Sequence, residues 1–327
     1  MEKMRAAIIV EKGKMECTTA PVRSPEKGQV VVRNQFASIC GSDLHIVFMG
    51  MSLAEQPEKH GYPGHEGIGE VVESRSPDLQ KGDWVLTVPG RPHMNTFADY
   101  QTLPATSCIK VPSDGKMDEL MMAQQLGTTI FALRQNPTDV VGKTVMVLGQ
   151  GSAGMFFAYL LKRAGAAKVI AADLSEKRLT MGREMSGVDV AVKAERENVR
   201  EAVMDHTDGK GVDYLVEAVG KSETQFQAVD LMKVGGKMLY FGLPDTEQPI
   251  PIDFYHFFAK ALTLSSTYGT QIEPGLVSFR MALDLILKKQ IDVSQLVSHK
   301  YPIEKIHDAI LAAQDTSGPA LKVSLTF

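Results

Sequence analysis

Two textures divide the chain. Over residues 29–111, short β-branched runs at 29–36, 67–73, 83–88, 98–103 and 107–111 are cut by Pro25, Gly28, Pro63, Gly64, Gly82, Pro89, Gly90 and Pro104. Runs of that length ended by turn residues predict an irregular, mainly β domain. Over 118–135 the pattern takes a helical period, and Asn136–Pro137 ends it, because the residue before a proline disfavours helical backbone. A domain boundary is expected inside or just after that helix.

Beyond it, apolar strands at 144–148, 168–172, 188–192, 212–218, 237–241 and 261–266 are interleaved with amphipathic segments at 153–164, 176–184, 196–205 and 223–232. Near-continuous apolar strands joined by crossover helices predict a parallel α/β sheet covered on both faces, the doubly wound pattern. A helix over 274–289 and a tail over 300–327 complete the chain. No repeat, low-complexity stretch or long charge run interrupts it.

The 327 residues suit about two domains of ~150 residues. Lys and Arg total 35 against 39 Asp and Glu, so no basic excess exists to follow a phosphate backbone or an anionic membrane, and nucleic acid is not an expected partner. Three cysteines, Cys17, Cys40 and Cys108, are too few and too scattered for a disulfide framework. The apolar run after Arg5 is too short for a signal peptide, and no stretch approaches the ~18 apolar residues of a membrane span. These features predict a cytoplasmic protein with no membrane partner.

Candidate chemistry falls in three places. The strand Val145–Leu148 runs into Gly149-Gln150-Gly151-Ser152-Ala153-Gly154 and then an apolar helix. In that setting Gly149 permits the tight turn, Gly151 lets the backbone approach a pyrophosphate, and Gly154 lets the helix pack on the strand with its N-terminus toward the negative charge. The letters alone fit a glycine-rich turn of any α/β domain. Asp173, closing the next strand, adds a carboxylate that can accept both adenosine ribose hydroxyls and repel a 2′-phosphate, while Leu174-Ser175 supplies no arginine to receive one; NAD is expected over NADP.

The other two places are Cys40-Gly41-Ser42-Asp43-Leu44-His45 and Gly64-His65-Glu66-Gly67. Singly, each cysteine or histidine reads as an ordinary core or surface residue. Together they offer thiolate and imidazole to zinc, whose catalytic sites take three protein ligands and leave one position open; Cys40 and His65 supply two.

With Gly82-Asp83-x-Val85, the glycine-rich turn and its acidic partner, this order of motifs resembles the zinc-dependent medium-chain dehydrogenases/reductases, such as the alcohol, sorbitol and threonine dehydrogenases, from about Met4 to the C-terminus. The resemblance implies a mainly β GroES-like catalytic domain over 1–125, completed by 268–327, and a Rossmann cofactor domain over 126–267. It implies zinc ligation by Cys40 and His65, with Asp43 orienting His65 and Glu66 beside the metal as an alternate ligand. Ser42 and His45 match the proton relay. Gly149, Gly151, Ser152, Ala153, Gly154, Asp173 and Arg178 match the cofactor contacts, and Thr128 matches a residue that touches nicotinamide in relatives; a hydroxyl bonded to its own helix is the alternative.

The chain departs from the family pattern twice. The third ligand position, usually Cys, Glu or Asp, is Gln124, a neutral amide that some sugar dehydrogenases of the family also use, so Gln124, Glu66 or water is left as the third contact. The cysteine-rich lobe after Gly82-Asp83 is replaced by a short segment without cysteine, so one catalytic zinc and no structural zinc is expected.

The expected reaction is hydride transfer between NAD(H) and a secondary alcohol or ketone. Ser42 would take the alcohol proton and His45 release it to solvent, since imidazole titrates near neutrality. The Gln124 variant leans toward a polyol, sugar or cyclitol; a threonine-type β-hydroxy amino acid dehydrogenase is the alternative. Phe48, Met49, Met51, Met94 and Phe97 are candidate pocket residues. A zinc-free NAD(P)H reductase of the same fold and a non-catalytic binding protein are the rival classes, and a homodimer or homotetramer is the expected assembly.

Overall fold

The computed structural model describes residues 3–50, 59–315, 318 and 320–327. The chain divides into two compact units, Met1–Thr128 with Gly269–Phe327, and Thr129–Tyr268.

In the first unit, β1 (Lys3–Glu11) and β2 (Lys14–Pro21) form a hairpin. Next in the chain come β3 (Gln29–Ser38), α1 (Gly41–Met49), β4 (Glu66–Ser74), β5 (Trp84–Thr87), β6 (Tyr100–Pro104), β7 (Cys108–Lys110) and α2 (Met117–Leu120). The helix α3 (Ala123–Gln135) passes from this unit into the second.

The second unit holds β8 (Thr144–Leu148), α4 (Ser152–Arg163), β9 (Lys168–Asp173), α5 (Glu176–Ser186), β10 (Val190–Lys193) and α6 (Arg196–Asp205). After these come β11 (Val212–Glu217), α7 (Ser222–Leu231), β12 (Met232–Tyr240), α8 (Phe254–Ala259) and β13 (Thr263–Ser266). The chain then returns to the first unit through α9 (Val277–Leu287), β14 (Val297–Pro302), α10 (Ile306–Gln314) and β15 (Lys322–Thr326).

Among the described residues, the second unit's strands form one parallel sheet in the order β10-β9-β8-β11-β12-β13. Its strands read as continuous apolar runs because both faces are covered. Val145, Val147, Val169 and Ala171 face one apolar cluster, and Met146, Leu148, Ile170 and Ala172 face another. The strand order reverses between β8 and β11, the crevice at which doubly wound sheets bind ligands.

In the first unit the order is β14-β15-β3-β4-β5-β7, with β6 also paired to β3. The C-terminal strand β15 therefore lies directly against β3, antiparallel, with Leu325 opposite Ala37 and Ser324 opposite Ser38. That pairing brings the far end of the chain to the strand that leads into Cys40.

The helix expected over 118–135 is broken. α2 ends at Leu120 and α3 starts at Ala123, with Met122 N–H shifting to the carbonyl of Glu119 and Gln124 N–H to that of Met121. Residues 121–127 are all buried, so no polar face exists for a straight surface helix to present. Phe97, read as a pocket candidate, belongs to the core: it is fully buried in the cluster of Ala7, Met15 and Val47, and a Cβ at Gly64 would lie 2.5 Å from its ring. Phe48 packs on the same cluster; Met94 is half-buried, Met49 exposed, and Met51 lies outside the described residues.

Candidate metal centre and dinucleotide cradle

Cys40 is the N-cap residue of α1, extended at φ −97° and ψ 159°. Asp43, three residues on, returns its carboxylate to the cap: Cys40 N–H donates to Oδ2 at 2.8 Å. The other oxygen, Oδ1, lies 2.9 Å from Nδ1 of His65, which also faces the Pro63 carbonyl at 3.2 Å. One fully buried carboxylate thus fixes both the start of the helix that carries Cys40 and the orientation of the His65 ring.

With Nδ1 held, Nε2 is the ring nitrogen that faces Ser42, at 3.5 Å from its hydroxyl. The thiol of Cys40, the imidazole of His65 and a carboxylate oxygen of Glu66 lie within 4.8 Å of one another. It is the one such group of three or more His, Cys, Asp or Glu side chains among the described residues.

Glu66 opens β4 and is fully buried. Its Oε2 lies 2.6 Å from Nζ of Lys322, on β15, and accepts a hydrogen bond from the Ser38 hydroxyl. Burial opposes its charge, but Lys322, His65 and Ser38 override that and hold the carboxyl below its usual range. Lys322 behaves reciprocally: burial opposes its charge, and Glu66 and Cys40 raise its pKa. For His65, burial likewise favours the neutral ring, while Asp43 and Cys40 prevail and raise its pKa well above the usual value. Burial pushes the Asp43 carboxyl up, against the pull of His65 and the Cys40 amide.

Gln124, in the first turn of α3, is buried and donates through Nε2 to the His65 backbone carbonyl at 3.3 Å. Its amide thus sits against the strand of ligands. Thr128, one turn later, donates its hydroxyl to the Gln124 carbonyl at 3.1 Å, the local back-bond of a helical threonine. Ser42 and His45 are spaced i, i+3 on α1 and are both half-buried.

In the second unit, Gly149 has φ +89° and Gly151 is the N-cap of α4. A Cβ at Gly154 would lie 1.9 Å from the Gly149 carbonyl oxygen, whereas one at Gly151 would meet no atom within 4 Å, so space remains over Gly151 for a ligand. The amides of Ser152, Ala153 and Gly154 form the first helical turn, which no intrahelical carbonyl serves, because the ladder begins with Met155 N–H on Gly151. Asp173 ends β9 with both carboxylate oxygens on backbone: Oδ2 accepts from Gln150 N–H at 2.6 Å and Oδ1 from Ser175 N–H at 2.8 Å. The carboxylate is thereby fixed beside the turn. Arg178 is half-buried in the first turn of α5.

Three residues here were not singled out from the sequence. Lys322 and Ser38 complete the charge network, and Gln150 fills the space beneath the turn, where its Oε1 would lie 2.6 Å from a Cβ at Gly182. The one sequence signal for Lys322 was a lysine inside the apolar run of β15.

Residues 26–113 match the alcohol dehydrogenase GroES-like domain family, and residues 153–288 match the zinc-binding dehydrogenase family. The chain belongs to the zinc-dependent medium-chain dehydrogenases/reductases. It is similar to the L-threonine 3-dehydrogenase of Bacillus subtilis (strain 168), 28% identical over 316 residues with 88% of each chain covered. It is also similar to the alcohol dehydrogenase of Cupriavidus necator, 26% identical with 95% of this chain and 94% of the other covered. Among solved structures it resembles L-idonate 5-dehydrogenase from Escherichia coli, with TM-score 0.83, 23% identity, and coverage of 100% of this chain and 99% of the other.

Lys322→Ala removes the ammonium paired with buried Glu66, and stranding a buried charge costs about 3–5 kcal/mol. Urea melts should show a loss of that order, and Glu66→Gln/Lys322→Met should recover part of it. A loss in Lys322→Ala below about 1 kcal/mol, the scale of a surface pair, would contradict the pairing.

Proposed function

We propose that this protein is a zinc- and NAD-dependent dehydrogenase that oxidises a secondary alcohol to a ketone, with a polyol, sugar or cyclitol as substrate class. The observation that carries the proposal is the convergence of half-buried Cys40 with buried His65 and Glu66 within 4.8 Å, with His65 Nδ1 already held by Asp43. That donor set, thiolate and imidazole with an oxygen beside them, suits zinc.

Cys40 and His65 would hold the ion, with Gln124 or Glu66 as a third contact. The glycine-rich turn, the first-turn amides of α4, Asp173, Arg178 and Thr128 would hold NAD, the carboxylate disfavouring a 2′-phosphate. When bound, zinc lowers the pKa of an alcohol and NAD⁺ accepts the hydride.

Ser42 takes the alcohol proton in this reading. Its hydroxyl is beside His65 Nε2, and His45, one turn along the same helix, carries the proton toward solvent. The Glu66–Lys322 pair would keep a negative charge close to the ion, whether or not Glu66 makes the third contact.

The neutral amide at 124 favours the polyol class. The similarity to threonine dehydrogenases favours a β-hydroxy amino acid as the second reading. The deciding experiment is NAD⁺ and NADP⁺ reduction over polyols, sugars, cyclitols, simple alcohols and L-threonine, with zinc counted by elemental analysis. One zinc per chain, NAD⁺ preferred by kcat/KM and turnover on polyhydroxylated alcohols are expected. Full activity after zinc removal, or equal use of NADP⁺, would overturn the corresponding part.

For the relay, Ser42→Ala should lose about 10²–10⁴-fold in kcat at every pH, the range for a general acid–base group. His45→Ala should be slowed mainly at low pH, where solvent base is scarce. A Ser42→Ala enzyme with full activity across the pH range would remove the relay assignment.

A homodimer or homotetramer is proposed as the assembly. β13 is an edge strand, and α8 before it exposes Phe254, Tyr255 and Phe258 at 65%, 75% and 77%, an apolar surface of the kind that marks an interface. Sedimentation at micromolar concentration should show the oligomer, and Phe258→Asp should weaken it. A monomeric wild-type protein would end the proposal.

A further inference from the structure

The crevice between β8 and β11 has two banks. One is the glycine-rich turn after β8; the other is the turn Ala218-Val219-Gly220 after β11. They touch: Ala218 N–H donates to the Leu148 carbonyl at 2.9 Å, and a Cβ at Gly149 would lie 2.8 Å from Cγ2 of Val219. Where Val219 sits therefore sets the room at the first glycine of the cradle.

Glu217 decides where Val219 sits. The last residue of β11, it is fully buried, and its Oε1 accepts three hydrogen bonds: from Val219 N–H and Gly220 N–H, both at 2.9 Å, and from the Thr224 hydroxyl at 2.8 Å. Its backbone carbonyl accepts Phe241 and Gly242 N–H at 2.9 Å. Gly220, at φ +83°, closes on the turn after β12, for its Cβ would lie 2.1 Å from the Leu243 carbonyl oxygen. One residue thus ties the turn after β11 to α7 and to the turn after β12. The buried Gln225 side chain on α7 adds a further interaction with the same carboxyl. A buried acid is a costly way to close a turn that water could serve, which argues that the position of the turn matters beyond stability.

We propose that Glu217 is a positioning residue for the cofactor: without touching it, the side chain holds Val219 against the glycine-rich turn and so sets the shape of the dinucleotide crevice. The inference rests on the reading that this unit binds NAD(H).

Burial pushes the Glu217 carboxyl up, against the pull of its donors, so its charge is not what the turn requires. An amide oxygen can accept the same three donors. Glu217→Gln should therefore rescue what Glu217→Ala loses, and Thr224→Val, which removes one donor at a half-buried site, should fall between them.

The test is NADH affinity of the zinc-loaded protein by fluorescence, beside melting temperature and zinc content. Glu217→Ala should bind NADH about tenfold more weakly or worse, the scale expected when buried donors lose their acceptor. Thr224→Val should lose a few-fold and Glu217→Gln no more than about twofold, with zinc content unchanged in all three. A folded Glu217→Ala that binds within about twofold of wild type overturns the proposal, whatever its melting temperature, because it would show a purely structural role. If Glu217→Ala does not fold, Thr224→Val decides: weaker binding supports the proposal and unchanged binding overturns it. Wild-type protein that fails to bind NADH would instead defeat the cofactor reading itself.

Discussion

Two carboxylates, Asp43 and Glu66, are fully buried around one imidazole, and the first unit is organised by the need to give each of them a partner. An unpaired charge at that depth would cost several kcal/mol, a large share of the stability of an ordinary domain. Asp43 is answered by the Cys40 amide and by His65. Glu66 is answered by Lys322, which reaches it because β15 pairs with β3 and brings the C-terminal strand under the site. The ends of the unit are thereby joined through its most polar point. The pairing that docks β15 on β3 thus also supplies the charge balance of the site.

The second unit solves a different problem by different means. Its cradle is mostly backbone: a positive φ at Gly149, a close approach at Gly154, open space at Gly151 and the first-turn amides of α4. Side chains enter chiefly to hold backbone in place. Asp173 pins the turn through Gln150 N–H, Gln150 fills the space toward Gly182, and Glu217 ties down the opposite bank. A site made this way asks for glycine at set positions and for buried acceptors at strand ends, rather than for a cluster of reactive groups.

That difference explains what could be read from the sequence. The parallel sheet was legible because strands covered on both faces are apolar throughout, and its helices carry a clear period; β8, α6 and the ends of α4 and α5 fall within a residue or two of expectation. The cradle was legible because glycine spacing records backbone geometry. In the first unit the five runs read as strands appear as β3 to β7, but other features went unseen. The β1–β2 hairpin was not anticipated although the apolar run after Arg5 and Gly13 at its turn are local signals for it, and α1, a short helix capped by Cys40, was hidden among residues chosen for chemistry. The break before α3 was missed because a fully buried segment carries no periodic contrast. Lys322 and Glu217 were missed for a shared reason: each is a charged residue inside or at the end of an apolar strand, and its partners are defined only by the fold.

Charge accounting at the site gives the Gln124 departure a physical meaning. Cys40 as thiolate, Asp43 and Glu66 are three potential anions facing one ammonium, Lys322, which leaves a deficit equal to one divalent cation when His65 is neutral. The raised pKa of His65, driven by Asp43 and Cys40, fits that excess of negative charge. A carboxylate or thiolate at position 124 would add a further negative charge inside the same buried volume. On the proposed reading, the amide there would leave the site neutral with Glu66 ionised against Lys322. On the proposed zinc reading, a neutral glutamine at 124 would leave the negative charge of the site to Cys40, Asp43 and Glu66, the last already paired with Lys322.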